Sequence, residues 1–508
     1  MLFYVFILAP VLCDGAKILG VFPAPCHSHQ FVFRALTLEL VRRGHDVTVI
    51  TPFPAYPNTT IQNLTEINIG NTISKIVTKD LGTMVRMAKD EVTVQHKVSL
   101  FTLYKIFEGL FENELKDFLK KNEQYDIILG EMCARMTLIF SHIYKAPFIQ
   151  ISSLGGFFDT FHRAGGLDHP FIYPTAVGDK FTDLSLLDKA WILFDRYRMF
   201  EITRQGELID DKLVRKHLGP DFPSSLELRQ NVDMIFINMH HLWDTNRPVP
   251  PNVVHLGGLH LQPPKQLPDD LQSLLDKSPN SIFMSFGSTI RPSLFDQKKL
   301  QIFLDVLSTL PYTIFFKWDT NIDVAHNIVV RKWYPQADLL RHPNIKLFIT
   351  QAGLQSIDEA VEAEVPMLAI PILWDQFYNA HKIVELKLGA MCNIKTISRD
   401  DFRKAIEEVL SNKSYRENVK KYKATIHDQP QTSLERAVWW TEYVIRNKGA
   451  KHLKTPAFEM SLTDYYEMTF VLSMLAVSVA IFLTVMMILS FCFKLLKYLN
   501  IFGKIKLE

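Results

Sequence analysis

Twice along its length the sequence alternates short β-rich runs with longer helical stretches. From Lys17, "KILGVFPAP" and "HDVTVIT" flank the helical "FVFRALTLELVRRG". "YDIILGE", the helical "RMTLIFSHIYKA" and "PFIQISS" follow, and "DMIFINM" closes the first series. A second series runs "SIFMSFGS", "YTIFFKW", "NIVVRKW", "IKLFIT" and "PMLAIPIL", again separated by helical sequence. Neighbouring parallel strands need crossovers, usually helices, so the pattern predicts an α/β chain of two doubly wound, Rossmann-like domains. With 508 residues the chain exceeds one ordinary domain. The Pro-rich "RPVPPNVVHLGGLHLQPPKQLP" is the expected linker, and 160–230, which fits the alternation poorly, is expected to add helices and loops to the first domain. In such sheets ligands bind outside the carboxyl ends of the strands, in the crevice between the domains.

The two ends differ from this body. "MLFYVFILAPVLCDGA" is apolar, too short to span a bilayer and ends in small residues, so 1–16 reads as a signal peptide; a buried first strand is the alternative. Phe470 to Phe493 carries no charge and would extend roughly 36 Å as a helix, enough to cross a bilayer. Lys494 and Lys497 behind it place the tail in the cytosol and the body on the other side, a single-pass type I arrangement. Lys504 and Lys506 near the terminus resemble a dilysine retrieval signal, which points to the endoplasmic reticulum membrane with a luminal body. Sequons at Asn58, Asn63 and Asn412 precede the span. The expected organisation is therefore a signal peptide at 1–16, domains at 17–262 and 263–450, a membrane helix at 470–493 and a cytosolic tail at 494–508. A formal net charge of +2 gives no reason to expect nucleic acid, and five cysteines without metal or framework spacing imply neither a zinc site nor a disulfide scaffold.

There is no G-x-G-x-x-G, P-loop, H-E-x-x-H, C-x-x-C or D-x-D, so no cofactor and no metal are expected. Polar residues instead gather where the second series of strands ends. Ser288 follows "SIFMSF", Trp333 follows "NIVVRK", the turn Gln351-Ala-Gly353 follows "IKLFIT", and Asp375-Gln376 follow "MLAIPIL". Trp333 offers a plate for a base and Gln336 an amide for its edge; a core Trp before a helix starting at Pro335 is the alternative. Ser356-x-x-Glu359 matches a capping box, or else a helix N-terminus facing a diphosphate with Glu359 on ribose hydroxyls. Asp375 and Gln376 suit either a helix cap or sugar hydroxyls.

Residues 333–380, "WYPQADLLRHPNIKLFITQAGLQSIDEAVEAEVPMLAIPILWDQFYNA", resemble the signature of the UDP-glycosyltransferases, closest to the invertebrate branch of the membrane-bound animal enzymes. The resemblance extends to "FPAPCHSHQFVFRALTLELVRRGHDVTVIT", "PNVVHLGGLH", "FMSFGS" and the anchor with its Lys tail. It implies a GT-B fold, an acceptor-binding N-terminal domain and a UDP-sugar-binding C-terminal domain. It also implies roles: Trp333 and Gln336 for uracil; Ser288, Gly353 and Ser356 for the diphosphate; Glu359 for ribose; Asp375 and Gln376 for the sugar. His29, in "CHSHQ" at a strand's carboxyl end, would be the general base; spacing does not choose it over His27, but the family's Ser-His pattern does. Its carboxylate partner falls at Glu131, where the family has an aspartate, and Gln351 stands at the diphosphate turn where many relatives have a histidine.

The resulting expectation is an inverting transferase that moves a hexose from a UDP-sugar to a hydroxyl of a small lipophilic acceptor, in detoxification-type conjugation. A non-catalytic membrane protein binding UDP-sugar or lipophile is the alternative, and self-association is left open. The acceptor pocket is expected around 80–120 and 155–200. A glucuronate donor should call for a cation, and no Lys or Arg occurs between Lys346 and Lys382, which favours UDP-glucose.

Overall fold

A computed structural model describes residues 15–76, 92–121, 123–157, 159–174, 181–288 and 296–505, with the backbone alone at 92–94 and 500–505. Most of the expected signal peptide, parts of the expected acceptor regions (residues 80–91, 158 and 175–180) and Lys506 lie outside the described residues. The first sheet contains β1 (Lys17–Val21), β2 (Asp46–Thr51), β3 (Leu64–Asn68), β4 (Ile127–Glu131), β5 (Phe148–Ser152), β6 (Val232–Ile237) and β7 (Val253–His255), all parallel, in the order β3-β2-β1-β4-β5-β6-β7. The second contains β8 (Ser281–Ser285), β9 (Thr313–Lys317), β10 (Ile328–Arg331), β11 (Ile345–Thr350), β12 (Met367–Ala369) and β13 (Gly389–Met391), also parallel, in the order β10-β9-β8-β11-β12-β13.

The strands read as unbroken apolar runs because helices cover both faces. "SIFMS" in β8 is buried throughout, and so is "VDMIFI" in β6. The buried charge in β6, Asp233, accepts from the backbone N–H of Phe148 at 3.0 Å and of Ala450 at 2.7 Å. A buried carboxylate survives when backbone donors satisfy it, and here it also ties the returning chain to the first sheet.

Three strands escaped the pattern. The segment expected as a linker contains β7, a fully buried edge strand. β3 is a half-buried edge strand of mixed character, "LTEIN", and β13 has only three residues. The range 263–450 does not stay with the second sheet either. The helix Ser433–Arg446 opens with a Thr432/Glu435 capping box and buries Ala437, Val438 and Val444 in one core with Ile18, Phe22 and Leu36 of the first half. The chain therefore crosses back before it leaves.

Within 160–230 the main element is a helix of 33 residues, Leu186–Leu218, started by a Ser185/Asp188 capping box. At the far end, Met468–Ile505 is one helix, and its apolar stretch Met468–Leu499 is left exposed by the described residues. It is long and apolar enough to cross a membrane. The strand order reverses between β1 and β4 in one sheet and between β8 and β11 in the other. Those two switch points are where an open parallel sheet leaves a crevice.

Candidate active site

A cleft of about 740 Å³ opens between the two switch points. His29 lines it from one side, and Ser288, Trp333, Gln336, Gln351, Gly353, Ser356, Glu359, Asp375 and Gln376 line it from the other. Glu131 lies behind His29.

On the first wall, the helix His27–Arg42 begins directly after the loop that leaves β1. Its first turn is pinned from below: Gln30 donates to the Phe22 carbonyl at 3.0 Å and accepts from the Thr51 hydroxyl at 2.8 Å. Glu131 ends β4 and is 1% exposed. One of its oxygens meets His29 Nδ1 at 2.8 Å, and the other accepts the Ala24 N–H at 2.9 Å. The extra methylene relative to aspartate lets one carboxylate bridge the ring and the loop. With Nδ1–H donating to Glu131, Nε2 becomes the basic nitrogen of His29. The neighbouring histidine is occupied differently. His27 stacks on Phe53 with centroids 3.7 Å apart, and burial, followed by Arg34 and Lys317, lowers its pKa.

Trp333 on the second wall is 56% exposed, which removes the core alternative; the adjacent Tyr334 is the buried ring, bonded to the Val329 carbonyl at 2.7 Å. Gln336 donates to Ser356 Oγ at 2.9 Å and to Glu359 at 2.7 Å. Burial pushes the Glu359 carboxyl up to about 7. The helix Leu354–Glu362 is capped by Gly353 without a side-chain bond, so Ser356 and Glu359 form no capping box; both line the cleft and are held there by Gln336. Gly353, Leu354 and Ser356 at its N-terminus line the cleft, and such a helix end favours an anion.

The turn before that helix departs from expectation in one respect. Its left-handed residue is Ala352 (φ 65°), while Gly353 has an ordinary φ of −66°. What Gly353 supplies is open space: a Cβ there would meet only Gln351 Nε2, at 3.6 Å. The position that requires glycine is Gly287, with φ 77° and with Gln351 Nε2 only 2.2 Å from where a Cβ would be.

Asp375 does not cap the helix Gln376–Glu385. It accepts instead from Asn379 Nδ2 at 2.8 Å, and burial pushes its pKa to about 6. Gln376 turns its oxygen inward, accepting the N–H groups of Ile372 and Leu373 at 2.9 Å each. Its NH₂ remains to donate to a ligand.

Sequence reasoning passed over two features here. Lys317, the last residue of β9, reaches into the cleft, donates to the Gly287 carbonyl at 2.9 Å and lies 4.4 Å from the Trp333 ring centre. Burial lowers its pKa to about 8. The expectation of no cation near the donor turn thus looked along the sequence, whereas Lys317 arrives from β9, separated by β8 from the strand that leads into that turn. Its position at a strand's carboxyl end was the available signal. The second feature is Asn379, fully buried, which receives Trp243 Nε1–H from the other wall at 2.9 Å and donates to the Ala352 carbonyl at 3.0 Å. Asn379 thereby fixes Asp375 to both walls at once, and nothing in the linear pattern marks it.

His29, Glu131 and Cys133 present ligand atoms within 4.8 Å of one another. Burial raises the Cys133 thiol well above its ordinary value, and both Glu131 oxygens are already bonded. With both carboxylate oxygens bonded, one to the loop and one to the ring, His29 and Glu131 form a hydrogen-bonded dyad. Asn58, Asn63 and Asn412 are all exposed.

The family model described as "UDP-glucoronosyl and UDP-glucosyl transferase" matches residues 16–504. An ecdysteroid UDP-glucosyltransferase of Spodoptera littoralis nuclear polyhedrosis virus is 34% identical over 485 residues, covering 91% of this chain and 94% of the relative. UDP-glucosyltransferase 2 of Dactylopius coccus is 29% identical over 453 residues, covering 87% and 86%. Among solved structures, the UDP complex of UDP-glucose: anthocyanidin 3-O-glucosyltransferase aligns with a TM-score of 0.59 at 16% identity, over 85% of this chain and all 100% of that one. The glycotransferase of kitacinnamycin aligns at 0.57 and 17%, over 84% and 99%. These structural likenesses establish the fold, which is GT-B.

Proposed function

Because this chain belongs to the UDP-glycosyltransferase family and is a glycosyltransferase, we propose that it moves glucose from UDP-glucose, with inversion, to a hydroxyl of a small lipophilic acceptor. His29 Nε2 takes the proton of that hydroxyl as its oxygen attacks the anomeric carbon; the bond to the diphosphate breaks, and UDP leaves with the electron pair. Attack from the face opposite UDP converts an α-linked donor into a β-glucoside. Glu131 keeps Nδ1 protonated and stabilises the imidazolium, which the nearby helix N-terminus would otherwise disfavour.

The observation that carries this reading is the His29–Glu131 pair facing Asp375 and Gln376 across one cleft. Trp333 stacks on uracil, Gln336 pairs with its edge, and Glu359 receives ribose hydroxyls. Ser288, Gly353 and Ser356 hold the diphosphate, with Gln351 beside it. Lys317 and the helix N-terminus at Gly353 supply positive potential there, so no metal is required. Asp375 and Gln376 take the glucose hydroxyls. Lys317 weakens the electrostatic case against glucuronate, and the choice of glucose rests on the UDP-glucosyltransferase names of the relatives.

The apolar helix is proposed as the anchor of a type I protein of the endoplasmic reticulum, with the exposed sequons on its luminal side. Phenols and, from the names of the viral relatives, ecdysteroids are the first acceptors to try. A non-catalytic binding role fits poorly with a complete dyad. Purified full-length protein given UDP-glucose or UDP-glucuronate with such acceptors should form glucoside faster. Faster glucuronide would overturn the donor, and no product at all would overturn catalysis.

A further inference from the structure

The loop that presents Asp375 and Gln376 to the cleft has a backbone that does not hold itself. Trp374, directly before Asp375, is left-handed with φ 48°, a conformation disfavoured for a bulky side chain. The residues around it are tied to their own wall. Gln376 Oε1 accepts the N–H groups of Ile372 and Leu373 at 2.9 Å each, and Asn379 Nδ2 donates to Asp375 at 2.8 Å. The N–H of Trp374 instead reaches the first wall, where it donates to Gln95 Oε1 at 3.1 Å. Among the described residues no other acceptor takes that N–H.

Gln95 is placed for this contact by its helix, Val92–Glu112, which packs along Leu186–Leu218. The next residue, His96, meets Thr203 Oγ1 of that long helix at 2.8 Å. Successive helix residues point about 100° apart. One side chain of the same turn therefore fixes the helix to the first wall while its neighbour reaches the second. Gln95 is 6% exposed, and a bond from a side chain so buried competes little with water.

We propose that Gln95 is a positioning residue for the transferred sugar: from the first wall it holds Trp374 in its left-handed turn and so aims Asp375 and Gln376 at the glucose. The inference rests on the proposed assignment of those two residues to the sugar. Without the bond, Trp374 can relax toward an ordinary φ, and a rotation there moves the Asp375 carboxylate that follows it. Small misplacements of a group that orients the substrate are costly to turnover. The uracil and diphosphate contacts lie elsewhere on the second wall, so UDP itself should not sense the change. The sugar site is complete only while both walls stand together.

The test uses full-length protein carrying Gln95→Met, which keeps the length of the side chain but offers at most a weak acceptor, or Gln95→Glu, which keeps an oxygen in place. Calorimetry gives the affinities for UDP and UDP-glucose, and glucosylation of an accepted phenol gives kcat and KM. Gln95→Met should leave UDP affinity nearly unchanged and lower both kcat and the affinity added by the glucose by about tenfold, the scale of one buried N–H left unpaired. Gln95→Glu should recover most of both. Amide exchange in the peptide spanning Ile372–Gln376, read by mass spectrometry, should quicken in Gln95→Met and stay slow in Gln95→Glu. Unchanged exchange, equal losses in the two variants, or a fall in UDP affinity as large as that for UDP-glucose overturns the inference. If the wild-type protein glucosylates nothing but affinities and exchange follow this pattern, the transfer reading fails and the positioning role stands. If Gln95→Met transfers glucose as fast as the wild type, the positioning role fails and the transfer reading stands.

Discussion

The two walls of the cleft are assembled in opposite ways. The donor wall comes mainly from one stretch, Trp333 to Gln376, in which successive strand ends deliver a ring, amides, a backbone turn and carboxylates in order. The wall proposed to take the acceptor is gathered from afar: His29 meets Glu131 from a strand end far along the chain, and Gln30 meets Thr51 of a third strand. A wall encoded in one stretch is constrained as a unit and suits an invariant ligand such as UDP. A wall built from scattered elements can change piecemeal, which would suit the proposed acceptor.

That division makes separable predictions. His29→Ala should lower turnover by about 10² to 10⁴ and leave UDP affinity nearly unchanged, measured by calorimetry. Glu131→Gln should lower turnover by the same amount or less. If UDP affinity falls in step with turnover, the walls do not divide the labour.

Asp375→Ala should lower turnover by about 10² to 10³, the scale of losing one preorganised polar contact to the reacting group, again with UDP still bound. Asn379→Leu should go the same way with a smaller loss, because Asn379 acts on the sugar through Asp375, with a slight further loss of UDP affinity from its missing bond to the Ala352 carbonyl. An Asn379 variant that weakens UDP but spares turnover would break the link drawn across Trp243.

Trp333→Ala should cost about 1–3 kcal/mol of UDP affinity, the usual worth of a stacked base. Lys317→Met should weaken UDP several-fold less steeply, and more at low than at high salt, since the lost term is electrostatic. A salt-independent loss would mean that Lys317 acts by packing.

The smallest expected effect concerns pH. Asp375 is raised to about 6, so it is ionised above that value and protonated below it. Comparing UDP-glucose with UDP isolates the sugar's contribution to affinity. That contribution should decline as pH falls through 6, and Asp375→Asn should flatten the trend.

How much of this was legible in the sequence follows the same divide. Period and punctuation exposed both sheets, because buried parallel strands are unbroken apolar runs; the edge strands β3, β7 and β13 escaped, being polar, Pro-flanked or very short. Residues on the donor wall could be placed because each follows its strand directly. Lys317 could not, since it neighbours the donor turn across strands. Asn379 hides inside a helix, and only its bonds to Trp243 and Asp375 give it meaning. The return of Ser433–Arg446 to the first sheet was equally invisible, because an amphipathic helix does not state which sheet it covers.

The most direct test of the central claim, that a base on one wall drives attack on a sugar held by the other, is the anomeric configuration of the product. Proton NMR of the glucoside formed from UDP-glucose and an accepted phenol reports it from the coupling at the anomeric carbon. In-line displacement assisted by His29 requires the β-anomer. An α-glucoside would contradict it, because retention cannot arise from a single attack by the acceptor opposite the departing UDP.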